Sequence, residues 1–222
     1  EDPERVFCVG GMGVDNILKL DLLSKQELEH ALDLELGTKS MLVTFHPVTL
    51  EESTAGEQMK ELLESLDEFN DYKIIFTMPN ADTDGRKIFK LIEDFCFRRD
   101  NCKAFTSLGQ LKYLSFLKYV DVVVGNSSSG LLEVPSFLIP TVNIGDRQKG
   151  RLKAESIIDC EPEISQITDS IKRAVSSEFK EFCKHAKNPY GNGGASELII
   201  REIEDTELGG IIKKEFYDIN FS

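Results

Sequence analysis

The stretch VDVVVGNSSSGLLEVP, residues 120–135, predicts the fold more directly than any other part of the sequence. It begins with an apolar run at 120–124, continues through a turn of small and hydroxyl-bearing residues, and then takes a helical pattern. A continuous run of apolar residues, rich in valine, is typical of a strand buried on both faces of a parallel sheet. Pro135 should end or kink the helix early. The stretch therefore predicts a strand–turn–helix unit.

The same alternation recurs along the chain. Apolar runs predict strands at 6–9, 41–45, 74–78, 120–124 and 141–144, with weaker candidates at 103–105 and 157–159. Apolar residues at helical spacing predict helices at 51–69, 86–97, 111–119 and 164–175. Strands that alternate with helices predict an α/β fold with a doubly wound parallel sheet of the Rossmann-like kind. Ligands of such sheets bind beyond the carboxyl ends of the strands.

Length, net charge and hydropathy limit the number of domains and the kinds of partner that this protein can have. The chain has 222 residues, of which 41% are hydrophobic, and this length suits one large domain or a domain with an appendage. With 26 basic and 39 acidic side chains the net charge is -13, which argues against nucleic-acid and anionic-membrane partners. The sequence has no apolar run long enough to span a membrane and no signal peptide, so we expect a cytoplasmic protein.

The cysteines predict neither a disulfide framework nor a metal site. Their number is odd, and no two have the spacing of a zinc knuckle or a redox motif. We expect them to pack as small apolar groups in a reducing compartment. No metal and no cofactor is predicted. The five are Cys8, Cys96, Cys102, Cys160 and Cys183.

The serine-rich turn after residues 120–124 is the strongest candidate site. Backbone N–H groups at the start of a helix favour an anion, and Ser127, Ser128 and Ser129 add hydroxyl donors. Glu133 follows Ser129 by four residues on the same helix face, where it could accept hydrogen bonds from two ribose hydroxyls. The alternative is that a serine caps the helix and the rest is a turn.

Two further candidates follow other predicted strands. His46 comes directly after 41–45, and Pro47 stops strand pairing there, so the imidazole could donate to a phosphate or act as acid or base. Asn80 comes just after 74–78 in a turn-like segment, where its amide could bind a ligand. The alternatives are a structural histidine and an Asx-turn.

The segment GDRQKGR, residues 145–151, forms a basic cluster in an acidic chain. The donors of Arg147 form a fixed fork that suits a diphosphate, although a solvated loop is the alternative. The glycine-rich segment 188–196 lacks a Walker lysine and is interpreted as a turn and a helix start. Together, four strand ends at one edge of the sheet each carry a polar group suited to an anion. This convergence predicts a nucleoside diphosphate ligand.

These segments in this order resemble the hydrolysing branch of the UDP-N-acetylglucosamine 2-epimerase family. The resemblance is carried by VGGMGVDN at 9–16, VTFHPVT at 43–49, MPN at 78–80, GNSSSGLLEV at 125–134, GDRQKGR at 145–151 and NPYG at 188–191. It implies one half of a two-domain GT-B arrangement. Residues 1–204 would be the C-terminal UDP-binding domain and residues 205–222 an extension. The N-terminal domain, which carries the proton-moving carboxylates, would be absent from this chain.

The resemblance also implies an activity. The family converts UDP-N-acetylglucosamine to N-acetylmannosamine and UDP by eliminating UDP and adding water, and the product feeds sialic-acid synthesis. The implied partners are UDP or UDP-N-acetylglucosamine, the missing domain and further copies in a homo-oligomer. The chain alone should be inactive. His46 is implied as catalytic, and the implied UDP-binding residues are His46, Asn80, Ser127, Ser128, Ser129, Glu133 and Arg147.

Two alternatives stay open. A GT-B glycosyltransferase would share the serine turn and the ribose glutamate, although the segments around His46 and Arg147 favour the epimerase. A non-catalytic UDP-sugar sensor or regulatory subunit would also fit a chain without the first domain.

Overall fold

The computed structural model describes residues 2–47, 55–79, 85–209 and 217–218. Its centre is a parallel sheet. The strands are β1 (Ser40–Thr44), β2 (Lys73–Thr77), β3 (Cys102–Phe105), β4 (Val122–Gly125), β5 (Thr141–Ile144) and β6 (Ile157–Cys160). Both weaker strand candidates, at 103–105 and 157–159, are therefore confirmed as β3 and β6.

The sheet order is β3-β2-β1-β4-β5-β6, and every pairing is parallel. Thr44 at the end of β1 lies beside Thr77 of β2 on one side and Gly125 of β4 on the other. The order reverses between β1 and β4, which creates the topological switch point of a doubly wound sheet. The predicted fold class is confirmed.

Helices cover both faces of the sheet. They are α1 (Met12–Lys19), α2 (Lys25–Leu32), α3 (Ala55–Ser65), α4 (Gly85–Phe97), α5 (Gly109–Leu117), α6 (Ser129–Leu132), α7 (Ile164–Ala174), α8 (Ser177–Cys183) and α9 (Ala195–Asp205). The predicted helix at 51–69 is α3 followed by a 3-10 turn at Leu66–Glu68, and its residues 51–54 lie outside the described part of the chain.

Alternate residues of the strands β1, β2 and β4 belong to two separate cores. Met41 and Val43 of β1 pack in a cluster with α3, α4 and α7, whereas Leu42 between them packs in a cluster with α2 and α5. All three side chains are fully buried. This is why β1 has no polar–apolar alternation, and it explains why a continuous apolar run predicted the strand correctly.

The strand predicted at 6–9 is wrong. The segment is irregular and joins a 3-10 turn, Pro3–Arg5, to α1. Val6 is 62% and Phe7 53% exposed, so these apolar side chains do not contribute to the sheet's core. Instead of pairing with a strand, the chain turns at Gly10, and the N–H of Gly11 donates to the carbonyl of Tyr190 at 2.7 Å.

Three helices were not predicted: α1, α2 and α8. The sequence does contain a signal for α2, because Ser24 and Glu27 have the spacing of a capping box. In the structure the N–H of Ser24 donates to Glu27 Oε2 at 2.8 Å, and the N–H of Glu27 donates to Ser24 Oγ at 3.3 Å. The glycine-rich segment 188–196 is a turn that leads into α9, as predicted.

The prediction for the cysteines is wrong for three of them. Cys96, near the end of α4, forms a disulfide with Cys102, the first residue of β3. The tight turn between these elements brings the two Cα atoms to 4.9 Å, within the range that a disulfide spans. Cys8 is exposed rather than packed, whereas Cys183 is buried as expected.

Candidate functional site

A cavity of about 740 Å³ lies at the carboxyl ends of β1 and β2, between α4 and α5. This volume is in the range of small-molecule sites. The strand ends contribute Thr44, Thr77 and the residues that follow them. The lining residues are Thr44, His46, Thr77, Met78, Pro79, Gly85, Arg86, Phe89, Thr106, Ser107, Leu108, Gly109, Gln110, Tyr113, Leu114 and Glu133.

His46 is half-buried and lines this cavity. Its backbone is held in both directions by the side-chain amide of Asn126. The N–H of His46 donates to Asn126 Oδ1 at 2.7 Å, and Asn126 Nδ2 donates to the carbonyl of His46 at 2.8 Å. The segment after β1 is thereby fixed to the segment after β4, across the switch point of the sheet.

The turn after β4 begins with a close approach of two backbones. Gly125 has φ +135°, and a Cβ atom there would lie 1.9 Å from the carbonyl oxygen of Thr44. Only glycine can occupy this position. The N–H of Asn126 donates to the same Thr44 carbonyl at 3.1 Å, so the direction in which the serine turn leaves the sheet is set by β1.

The helix after the serine turn is shorter than a usual anion-binding helix. It comprises one turn, α6, which ends before Pro135 as predicted. The N–H groups of Gly130 and Leu131 already donate to the carbonyls of Ser127 and Ser128, at 3.1 and 3.0 Å. Backbone N–H groups that were expected to favour an anion at this helix start are therefore already paired, because the turn closes on itself. The serine hydroxyl groups are the candidate side-chain donors of this turn.

Ser129 and Glu133 lie one helical turn apart, as their spacing predicted, because the N–H of Glu133 donates to the Ser129 carbonyl at 3.0 Å. Glu133 lines the cavity and packs against α1, where a Cβ atom on Gly13 would lie 3.3 Å from Glu133 Oε1. The Oγ of Ser129 lies 2.5 Å from the hydroxyl of Tyr113 on α5.

Burial raises the pKa of Tyr113 well above its ordinary value. The hydrogen bond with Ser129 opposes this shift, and the negative charge of Glu133 adds to it. The phenol of Tyr113 therefore stays protonated and able to donate a hydrogen bond.

Arg147 reaches the same region from the loop after β5. Its Nη1 donates to the carbonyl of Asn126 at 3.0 Å, and Nε2 of the buried Gln148 donates to the same oxygen at 2.8 Å. Burial and the nearby charge of Arg151 lower the pKa of Arg147, but a guanidinium remains cationic at neutral pH. Because it has five donors, one bond to a carbonyl leaves others for an anion.

The structure thus brings the segments of His46, the serine turn and Arg147 together around Asn126. Asn80 lies outside the described residues. Two neighbours of the site were not predicted: Asn126, which could have been found as a polar residue directly after a strand, and Tyr113.

Within the described ranges, no group of three His, Cys, Asp or Glu could hold a metal, and no helix could cross a membrane.

A parallel sheet whose order reverses beside a crevice of this size defines a Rossmann-like α/β protein of the kind that binds ligands at its switch point. The sequence profile of the UDP-N-acetylglucosamine 2-epimerase family matches residues 1–204. The chain belongs to this family.

Relatives support the assignment. The chain is 38% identical over 221 residues to GDP/UDP-N,N'-diacetylbacillosamine 2-epimerase (hydrolyzing) of Campylobacter jejuni, covering 99% of this chain and 57% of that protein. It is 37% identical over 224 residues to polysialic acid biosynthesis protein P7 of Escherichia coli, covering 99% and 56%. The chain therefore spans little more than half the length of these relatives.

Solved structures show the same fold. UDP-GlcNAc 2-epimerase from Neisseria meningitidis bound to UDP-GlcNAc superposes with a TM-score of 0.64 at 18% identity, covering 89% of this chain and 54% of that one. The Methanocaldococcus jannaschii enzyme in complex with UDP-GlcNAc and UDP gives 0.66 at 19% identity, covering 92% and 56%.

Proposed function

We propose that this chain is the UDP-binding part of a hydrolysing UDP-N-acetylglucosamine 2-epimerase, which makes N-acetylmannosamine and UDP for sialic-acid-type sugar synthesis. Residues 1–204 form the nucleotide-binding domain, and residues 205–222 are an extension. Family membership supports the reaction class, and the relatives named as hydrolysing 2-epimerases support the hydrolytic outcome.

One observation carries the proposal: the segments after β1, β4 and β5 meet at Asn126, on one rim of the sheet. The guanidinium of Arg147 donates to the carbonyl of Asn126, directly before the serine turn, and the Asn126 side chain holds the backbone of His46. A histidine, an arginine and hydroxyl groups are suitable donors for a diphosphate. Glu133, in the wall of the adjoining cavity, is suited to accept hydrogen bonds from neutral hydroxyl groups.

In the proposed complex, Ser127, Ser128 and Arg147 bind the diphosphate. Ser129 takes part as well, because a hydroxyl that accepts a hydrogen bond from Tyr113 can still donate its own proton to a phosphate oxygen. Glu133 binds the ribose. Asn80, which follows β2, binds the diphosphate or a group near it.

His46 contacts the diphosphate and acts as a catalytic residue when UDP departs. Negative charge accumulates on the leaving diphosphate. Hydrogen-bond donors held in place around this charge stabilise the transition state, and such stabilisation is usually the largest single contribution to catalysis. The backbone of His46 is fixed by two hydrogen bonds with the side chain of Asn126, which is the preorganisation that this effect requires.

The proposal assigns proton transfer at carbon 2 to carboxylates on a second domain. The chain spans 57% of the Campylobacter jejuni relative, so that relative has a large region with no counterpart here. We expect this chain alone to bind UDP without converting UDP-N-acetylglucosamine, and the whole enzyme to act as a homo-oligomer.

Calorimetric titration with UDP tests the proposal. We expect His46→Ala, Ser127→Ala and Arg147→Ala each to weaken binding by about 1–3 kcal/mol, the contribution of a hydrogen bond to a charged group. The exposed Ser165 and Arg201 give matched controls, Ser165→Ala and Arg201→Ala, which should bind like the wild type. A wild-type chain that does not bind UDP contradicts the nucleotide site. Rapid release of UDP from UDP-N-acetylglucosamine by this chain alone contradicts the assignment of proton transfer to a second domain.

A further inference from the structure

Asn126 is buried, with 1% of its surface exposed, and both polar atoms of its side chain are used by one residue. The amide accepts a hydrogen bond from the N–H of His46 and donates one to the carbonyl of His46. Such a reciprocal pair fixes both the position and the orientation of a backbone segment. The imidazole of His46 therefore projects from a backbone that one amide side chain holds.

The backbone of Asn126 serves a different loop. Its carbonyl accepts hydrogen bonds from Arg147 Nη1 and Gln148 Nε2, at 3.0 and 2.8 Å. Gln148 is as buried as Asn126, so this contact is shielded from water. The side chain of Asn126 thus fixes the segment after β1, and its carbonyl fixes the loop after β5.

Asn126 itself has little freedom to move. Its N–H donates to the carbonyl of Thr44, and the preceding Gly125 lies so close to Thr44 that no side chain fits there. A displacement of Asn126 would break hydrogen bonds to Thr44, His46 and Arg147 together. Buried polar groups that lose their partners are costly, so this arrangement is rigid.

We propose that Asn126 is the positioning residue that sets the distance and orientation between His46 and Arg147. It acts through these two residues and does not contact the ligand. The importance of the pair for UDP rests on the proposed function, whereas the effect of Asn126 on His46 does not. The two parts can be measured separately.

The first measurement follows the imidazoles by NMR without any ligand. The chain has three histidines, His30, His46 and His185, so two of them are internal controls. We expect Asn126→Ala to move or broaden the signals of His46 and to leave those of the exposed His30 and His185 unchanged. Unchanged His46 signals in a folded Asn126→Ala variant overturn the proposal, even if UDP does not bind to the wild type.

The second measurement is UDP affinity, with Asn101→Ala as the matched control. The amide of Asn101 also bridges backbone carbonyls, those of Asn70 and Tyr72, but it lies at the amino end of β3, away from the site. We expect Asn126→Ala to weaken UDP binding by about tenfold to a hundredfold, the effect of misplacing a binding group by about 1 Å. Asn101→Ala should change it by less than about twofold.

A double-mutant comparison separates positioning from general loosening. If Asn126 acts through Arg147 and His46, then Asn126→Ala should cost less than about threefold in a chain that already carries His46→Ala and Arg147→Ala. If Asn126→Ala still weakens UDP binding by about tenfold to a hundredfold in that double variant, the proposal is overturned. If Asn126→Ala does not fold, Asn126→Asp keeps one acceptor for the His46 N–H but places a carboxylate oxygen against the His46 carbonyl. Asn126→Asp should change the NMR signals of His46 as Asn126→Ala does. Its effect on UDP affinity should also be smaller when His46→Ala and Arg147→Ala are present, and an effect that simply adds to theirs overturns the proposal.

Discussion

The hydroxyl of Tyr113 and the Oγ of Ser129 lie 2.5 Å apart, which joins α5 to the turn after β4. Both groups are half-buried, and Tyr113 stays protonated because burial raises its pKa. One wall of the cavity is therefore tied to the serine turn by a hydrogen bond between side chains. A substitution in α5 that moves Tyr113 should therefore also shift the side chain of Ser129, although α5 and the serine turn belong to different strand–helix units.

Tyr113→Phe removes this bond and leaves the ring in place. We expect Tyr113→Phe and Ser129→Ala each to lower the free energy of unfolding by about 0.5–1.5 kcal/mol. The double variant should lose less than the sum, since both changes remove the same interaction. Urea denaturation measures all three. Tyr119→Phe is the control, because its hydroxyl donates to the Leu23 carbonyl instead, and its effect should add to that of Ser129→Ala.

Glu133→Ala should weaken UDP binding because the proposed ribose contact is lost. We expect a loss of about tenfold to a hundredfold, corresponding to about 1.5–3 kcal/mol for a hydrogen bond to a charged group. Calorimetry with the 2',3'-dideoxy analogue of UDP supplies the control. Wild type and Glu133→Ala should bind this analogue equally, and a persistent difference would show that Glu133 acts elsewhere.

Asp15 connects α1 to the start of α9 and should make stability depend on pH. This buried carboxylate accepts hydrogen bonds from the hydroxyl of Ser196 and from the N–H groups of Ser196 and Ala195. The Ser196 hydroxyl and then the Ser196 N–H lower the pKa of Asp15 from 3.8 to about 2. Because the folded pKa lies below the ordinary one, the ionised form stabilises the fold.

The contribution of Asp15 should be complete above about pH 4 and should disappear as the pH falls toward 2. We expect Asp15→Asn to be less stable than the wild type at neutral pH, with a difference that narrows across this window. Urea denaturation between pH 2 and pH 7 measures it. The exposed Asp100 provides the control, since Asp100→Asn should follow the wild type at every pH. A difference for Asp15→Asn that stays constant down to pH 2 would contradict the mechanism.

Gly125→Ala should be among the most damaging single substitutions in the chain. The new methyl group would collide with the Thr44 carbonyl, and we expect a loss of about 4 kcal/mol or more in the free energy of unfolding. Gly37 also has a positive φ, +66°, but nothing lies within 4 Å of a Cβ there. Gly37→Ala should therefore cost only the conformational strain, about 1–2 kcal/mol. Equal losses for the two variants would show that the collision is relieved by a small shift.

The sheet was predictable because its strands are buried on both faces. In β1, Met41, Leu42 and Val43 face alternate cores, so the apolar run is uninterrupted and easily seen. An apolar run does not reveal whether a partner strand exists, and the prediction for Val6 and Phe7 failed for that reason. The helix α2 was missed because most of its residues are polar and only Leu28 and Leu32 are buried.

The candidate site was predictable only in part. His46, the serine turn, Glu133 and Arg147 each follow a strand, and the structure brings their segments to one edge of the sheet. Asn126 could have been noticed as a polar residue directly after a strand, but its contact with His46 could not be predicted from its neighbours in sequence. Its partner His46 lies 80 residues away, and their contact depends on the strand order, which places β4 beside β1.

The close approach of Gly125 to Thr44 also limits how this rim can be redesigned. An engineer seeking a different ligand preference has no room to alter the junction itself, because any side chain at Gly125 would separate the two central strands. The remaining freedom lies in side chains that project from this frame, such as Ser127, Glu133 and Arg147. New selectivity could therefore be introduced by exchanging functional groups on an unchanged backbone.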